Sequence, residues 1–201
     1  MNPFDFTAAV RTLCVDITER LPDFAHVDMT RVGVGFSQAR HNEKYGVYAS
    51  VTPLRAPGGK RAVLKNNTWF LKPKIFSGGT ELLYILTVCL PRFQNQPLQG
   101  KIQTIVHELY HIGQNFDGDV RRFPGRCYAH GSSQKNYDKI VSALAEKWLA
   151  KDPPPQLWEF LKYTFTELQA KYGKIIGTTF KKIYLTKITE EEARRINSST
   201  D

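Results

Sequence analysis

The chain of 201 residues is 41% hydrophobic, enough to bury a core, and its length points to one domain. Its 28 Lys and Arg against 19 Asp and Glu leave a formal charge of +9, which favours an acidic partner, with nucleic acid first, acidic protein second and anionic membrane third. Cys14, Cys89 and Cys127 are odd in number and form no Cys-x-x-Cys pair, so neither a disulfide framework nor a four-cysteine zinc ribbon is indicated, and a reducing, cytoplasmic setting is expected.

At the N-terminus, MNPFDFTAAVRTLCVDITERLP carries Asp5 and no basic segment ahead of an apolar one, so it does not read as a signal peptide. Within it, Phe6, Val10, Leu13, Cys14, Ile17 and Leu21 recur at helical spacing, and Leu21-Pro22 ends the helix. RVGVGFSQ alternates Val32, Val34 and Phe36, and GVYASVTPL has the same extended character before Pro53, which predicts two strands. APGGKRAV is a turn-rich connection, and TWFLKPKIF reads as a further strand or an irregular arm. SGGTELLYILTVCL leaves a glycine turn and becomes β-branched and apolar, the best strand in the chain. Its apolar core at 82–90 falls far short of the roughly 20 residues that span a bilayer, so a soluble protein with no membrane partner is expected.

Beyond Pro91, LQGKIQTIVHELYHI places Leu98, Ile102, Ile105, Val106, Leu109 and Ile112 on one helical face. GQNFDGDVRRFPGRCYAHGSS reads as a loop, after which Ser132 or Ser133 caps a helix carrying Tyr137, Ile140, Val141, Leu144 and Trp148, ending before Pro153. QLWEFLKYTFTELQAKY predicts another helix closed by Gly173, TFKKIYLTKI is ambiguous between strand and helix, and Thr189 with Glu192 has capping-box spacing. There are no internal repeats. The expected organisation is one domain over 1–189, followed by a short C-terminal helix and frayed tail over 190–201.

Charge is unevenly spread. From Lys44 to Thr80 there is no Asp or Glu, while Lys44, Arg55, Lys60, Arg61, Lys65, Lys72 and Lys74 accumulate among Tyr45, Tyr48, Trp69 and Phe70. Cations interleaved with aromatics suit stacking on unpaired bases, although a solvated sheet face reads the same way. Lys174, Lys181, Lys182 and Lys187 form a second basic group, so nucleic acid is a candidate partner through regions 44–74 and 174–187.

The chemistry concentrates in IVHELYHIGQNF, residues 105–116. On a helix, residues four apart lie about 40° apart around the axis with Cβ atoms roughly 6 Å from one another, so His107 and His111 can converge on one metal ion. Zinc takes nitrogen ligands, and a catalytic site uses three protein ligands with a position left for water. Glu108 points elsewhere and can take a proton from that water, so the expected chemistry is hydrolysis with Glu108 as general base. For the third ligand, His26 and His41 lie in segments without evident relation to the motif helix and read as surface or core histidines. His130, nineteen residues past His111 and just ahead of the next helix, is the preferred candidate, with Asp119, Asp117 and Cys127 as alternatives. Tyr110, Tyr128, Tyr137, Arg121, Arg122 and Arg126 are candidates to stabilise an oxyanion.

The stretch HELYHIGQNFDGDVRRFPGRCYAHGSSQKNY resembles the core of phage-type metallopeptidases and, more distantly, of SprT-like zinc peptidases. The resemblance covers about thirty residues and maps the family's motif onto His107, Glu108, His111 and His130. It implies an α+β, zincin-like fold in which a small mixed sheet packs on an active-site helix and further helices. It also implies a zinc-dependent peptidase acting on an intracellular protein or peptide, with the edge of the TELLYILTVCL strand holding substrate backbone. A non-catalytic, zinc-containing nucleic-acid-binding module on the same scaffold is the alternative.

Overall fold

A computed structural model describes residues 2–38, 46–123 and 134–199. A two-residue strand β1 (Phe4–Asp5) leads into α1 (Phe6–Arg20), which Asp5 caps by accepting from the Ala8 N–H at 2.9 Å. The face predicted from periodicity is the one buried: Phe6, Val10, Leu13, Cys14 and Ile17 are fully covered. The following strands are β2 (Val32–Gln38), β3 (Ala49–Pro53), β4 (Ala62–Lys65), β5 (Thr68–Leu71), β6 (Ile75–Ser77), β7 (Thr80–Leu82) and β8 (Tyr84–Leu90). Then come α2 (Leu98–Tyr110), α3 (Gln134–Leu149), α4 (Phe165–Tyr172), β9 (Ile175–Ile176), β10 (Thr186–Ile188) and α5 (Glu190–Ser198). The class is α+β, with small sheets and five helices among the described residues.

The principal sheet has the order β2-β8-β3, with β2 parallel and β3 antiparallel to β8. Period-2 alternation sends Tyr84, Leu86 and Val88 of β8, with Val32 and Val34 of β2, into one large core shared with α1, α2 and α3. The opposite face is also covered: Ile85 joins Leu54 and Leu82 under Phe180 and Ile183. Gly33 makes this approach feasible, because a Cβ there would lie 2.7 Å from the Phe180 ring and 2.8 Å from Leu82 Cδ1.

β8 is therefore the central strand and has no free edge, which corrects the expectation that it borders a cleft; that edge belongs to β3. The physical reason is that apolar composition requires cover over the two faces of a strand but does not specify which strands pair with its edges. The arm TWFLKPKIF is two strands, β5 and β6, and the strand predicted from Thr80 onward breaks at Leu83, whose N–H donates to the Arg31 carbonyl and whose carbonyl accepts from Leu54. A second sheet, β10-β5-β4, carries α5 against β4 and β5, with Asn197 bonding both the N–H and the carbonyl of Ala62. The C-terminal helix is thus tied down, and β10 resolves the ambiguous TFKKIYLTKI as strand over its last residues. No helix among the described residues is long and apolar enough to cross a membrane.

The single helix expected over 156–172 is interrupted. Residues 155–157 and 159–162 form two short 3-10 turns, and α4 begins only after Thr164. Three acceptors that a continuous helix would use are bonded elsewhere: the Phe160 carbonyl by Gln94, the Leu161 carbonyl by Lys101 and the Tyr163 carbonyl by both. The matching donors are also taken, Thr164 N–H by Glu167, Phe165 N–H by Asn95 and Glu167 N–H by the Thr164 hydroxyl.

Lys101 is only 2% exposed, and its burial pushes its pKa down from 10.5 to about 8. Between those values the unfolded chain holds a proton that the folded chain has lost, so the stability this group contributes rises with pH. Relative to Lys101→Met, the wild type is expected to gain about 1–2 kcal/mol between pH 7 and pH 9.5 in urea unfolding. A constant difference across that window would show that the ammonium stays protonated.

Candidate active site

Burial of Ile102, Ile105, Val106 and Leu109 fixes the rotation of α2 about its axis. His107 and the C-capping His111 are thereby presented together, and their Nε2 atoms lie 3.0 Å apart with the rings at 79°. Two nitrogen ligands of a tetrahedral zinc ion lie about 3.3 Å apart, so the pair is already close to a bidentate arrangement. His111 Nδ1 is 3.3 Å from the Tyr137 hydroxyl, which in turn lies 3.5 Å from the His107 carbonyl. An Nδ1–H given to the Tyr137 oxygen leaves the Nε2 lone pair directed at His107, the tautomer a metal requires. The Tyr137 ring is 2% exposed and packs 5.0 Å from the His107 ring and nearly parallel to that of His111, so α3 orients both imidazoles.

Glu108, 7% exposed, turns the other way, and its Oε2 accepts from the Val51 N–H of β3 at 2.8 Å. Burial pushes its carboxyl up to about 7, against the opposite pull of that N–H. A carboxyl poised there, tied to an edge strand and one residue from an imidazole pair, is suited to receive and release a proton near neutrality.

Past His111 the chain turns back on itself: Gly113 N–H donates to the Asp119 carbonyl, Arg121 N–H to the His111 carbonyl, and Ile112 bridges Val120. A Cβ on Gly113 would sit 2.6 Å from the Asp119 oxygen, so only glycine allows so close a return. Tyr84 of β8 pins the loop, accepting from Gly118 N–H at 3.0 Å and donating to the Asp119 carbonyl at 2.8 Å. Sequence reasoning missed both Tyr84 and the bond from Val51 to Glu108. Tyr84 sits in a regular strand pattern and nothing nearby marks its hydroxyl, and Val51 acts through its backbone.

Among the described residues no group of three or more His, Cys, Asp or Glu is placed to hold a metal ion. The preferred third ligand His130, together with Cys127, His41, Tyr128 and Arg126, lies outside the described residues. Asp119 accepts a bidentate bond from Arg122, and Asp117 accepts from the Asp119 N–H, so both alternatives are used in shaping the loop. Arg121 stacks 4.1 Å above the Tyr110 ring and donates to the Tyr110 carbonyl. Of the described oxyanion candidates, Tyr137 packs its ring on both imidazoles, while Arg121 meets His111 through the backbone. His26 is half-buried beside Ile112 and Arg121, beyond the end of α2, and burial first, then the Arg121 charge, hold its pKa below the usual imidazole value. Its Nε2 is buried without a hydrogen-bond partner among the described residues.

Comparison of the chain with protein-family models, with curated proteins and with solved structures finds no match in any of the three.

Proposed function

We propose that the protein is a zinc-dependent peptidase of zincin-like build, with Glu108 as general base and His107, His111 and His130 as metal ligands. The observation that carries this reading is the convergence of the two Nε2 atoms at 3.0 Å, with the buried carboxyl of the intervening Glu108 held by the Val51 N–H. The donor set suits zinc, since two imidazoles share one focus and Tyr137 holds one of them in the ligating tautomer. A bound zinc ion supplies a Lewis acid that makes water nucleophilic near pH 7. Glu108, held by its bond from Val51, would then take the proton from the attacking water and pass it to the leaving amine. β3 is the edge strand of the principal sheet and lies against α2, so an extended substrate segment beside it would run past Glu108.

Metal content tests the ligand set. Purified wild type is expected to hold about one zinc per chain, and His130→Ala to lose most of it while His26→Ala and His41→Ala retain it. Equal occupancy in all three variants removes His130 from the site.

A second reading, nucleic-acid binding, is favoured by one feature of the fold. Pairing of Lys187 with Phe70 and Ile188 with Trp69 brings the two basic regions onto one sheet, although they are more than a hundred residues apart in sequence. Exposed Tyr184, at 71%, belongs to the second of these regions and offers a ring on which an unpaired base could stack.

A further inference from the structure

We infer that the cavity between the β3–β4 connection, the loop after α2 and the end of α5 is a binding site for a phosphate group. It has a volume of about 390 Å³, within the range of small-ligand sites. Arg31, Arg55, Lys60 and Arg61 line it, against Glu81 and Asp117. The two carboxylates are already engaged. Glu81 pairs with Arg55 and approaches Lys74, and Asp117 accepts from the Asp119 N–H. Four cations against two acids leave an excess of two positive charges, which matches the charge of about −1.5 to −2 on a phosphate monoester.

Arg61 is the sharpest indication. Its Nε is buried and has no hydrogen-bond partner among the described residues. A buried donor left unpaired is unfavourable, and a planar guanidinium is matched by phosphate oxygens. The backbone holds that side chain in place. The Arg61 carbonyl accepts from Lys72 N–H, and the next residue, Ala62, is clamped on both polar atoms by Asn197. Leu83, Phe116 and Ile196 add apolar walls, so part of the ligand beyond the phosphate has surface to cover. Phe116 and Asp117 belong to the loop that runs on from His111, so an occupant here touches the segment behind the candidate active site. The inference does not depend on the peptidase reading, since none of these residues is a proposed ligand or base.

Calorimetric titration at fixed ionic strength tests it with inorganic phosphate, pyrophosphate, a 5′-phosphorylated dinucleotide and the same dinucleotide without its terminal phosphate. The wild type is expected to bind phosphate-bearing probes, Arg61→Gln to bind them at least about tenfold more weakly, and Lys60→Gln, exposed and harmless to folding, several-fold more weakly. The double variant Lys181→Gln/Lys182→Gln, outside the cavity, should match the wild type. Tight binding of only the terminally phosphorylated dinucleotide identifies a nucleic-acid end. Equal binding of both dinucleotides identifies a backbone phosphate, and preference for inorganic phosphate or pyrophosphate identifies a free anion. No binding of any probe by wild type, or equal losses in the Arg61 and Lys181/Lys182 variants, overturns the assignment.

Discussion

Glu108→Gln is expected to lower peptide hydrolysis by about 10²–10⁴-fold while zinc content stays at the wild-type level. The substitution is nearly isosteric, and the amide oxygen can still accept from Val51 N–H, so the tie between α2 and β3 survives. What disappears is the ability to take up a proton. Single-turnover cleavage of an unfolded protein substrate, measured beside metal content, separates the two effects. Full hydrolysis at full zinc would eliminate Glu108 as the base. If neither wild type nor variant cleaves anything, while both bind single-stranded DNA with a steep salt dependence, the nucleic-acid-binding reading replaces the peptidase.

Trp148→Ala is expected to cost about 3–5 kcal/mol of folding stability, the range for removing a large aromatic from a packed core. Trp148 is fully buried at the far end of α3. Its indole N–H donates to Asp16 of α1 at 2.8 Å, and the same carboxylate accepts from Arg20. The change opens a cavity and also leaves a carboxylate oxygen without its donor. Because Tyr137 occupies the other end of α3, the variant should also release zinc at lower urea concentration than the wild type does. Urea unfolding followed by far-UV circular dichroism, with metal release recorded in parallel, checks both. A loss below about 1 kcal/mol would mean that α3 is not anchored through this seam.

The helices α1, α2 and α3 were legible because each buries one stripe at helical spacing, and the capping box at Thr189 and Glu192 marked α5. The helix over 156–172 was misread for a reason periodicity cannot register. Leu157, Leu161, Phe165 and Leu168 keep a helical rhythm, but Gln94 and Lys101 draw away the carbonyls that would have propagated it. β8 is legible as the best strand, but its central place in the sheet is not, because strand propensity carries no information on how many neighbours a strand has, and the edge that the resemblance implies belongs to β3.

For the candidate site the division is similar. His107, Glu108 and His111 follow from sequence alone, since a helix turn fixes which residues share a face within a few ångströms. Their supports came only with tertiary structure: α3 supplies Tyr137, packed on the imidazoles, and β3 supplies the N–H that holds Glu108. The phosphate cavity is still less accessible to sequence reading, because Arg31, Arg61, Asp117 and Asn197 meet only after four distant segments pack together. Local chemistry is written in short spacings that the backbone geometry preserves. Long-range partners depend on which surfaces are covered, a property of the whole packed chain that no window of sequence contains.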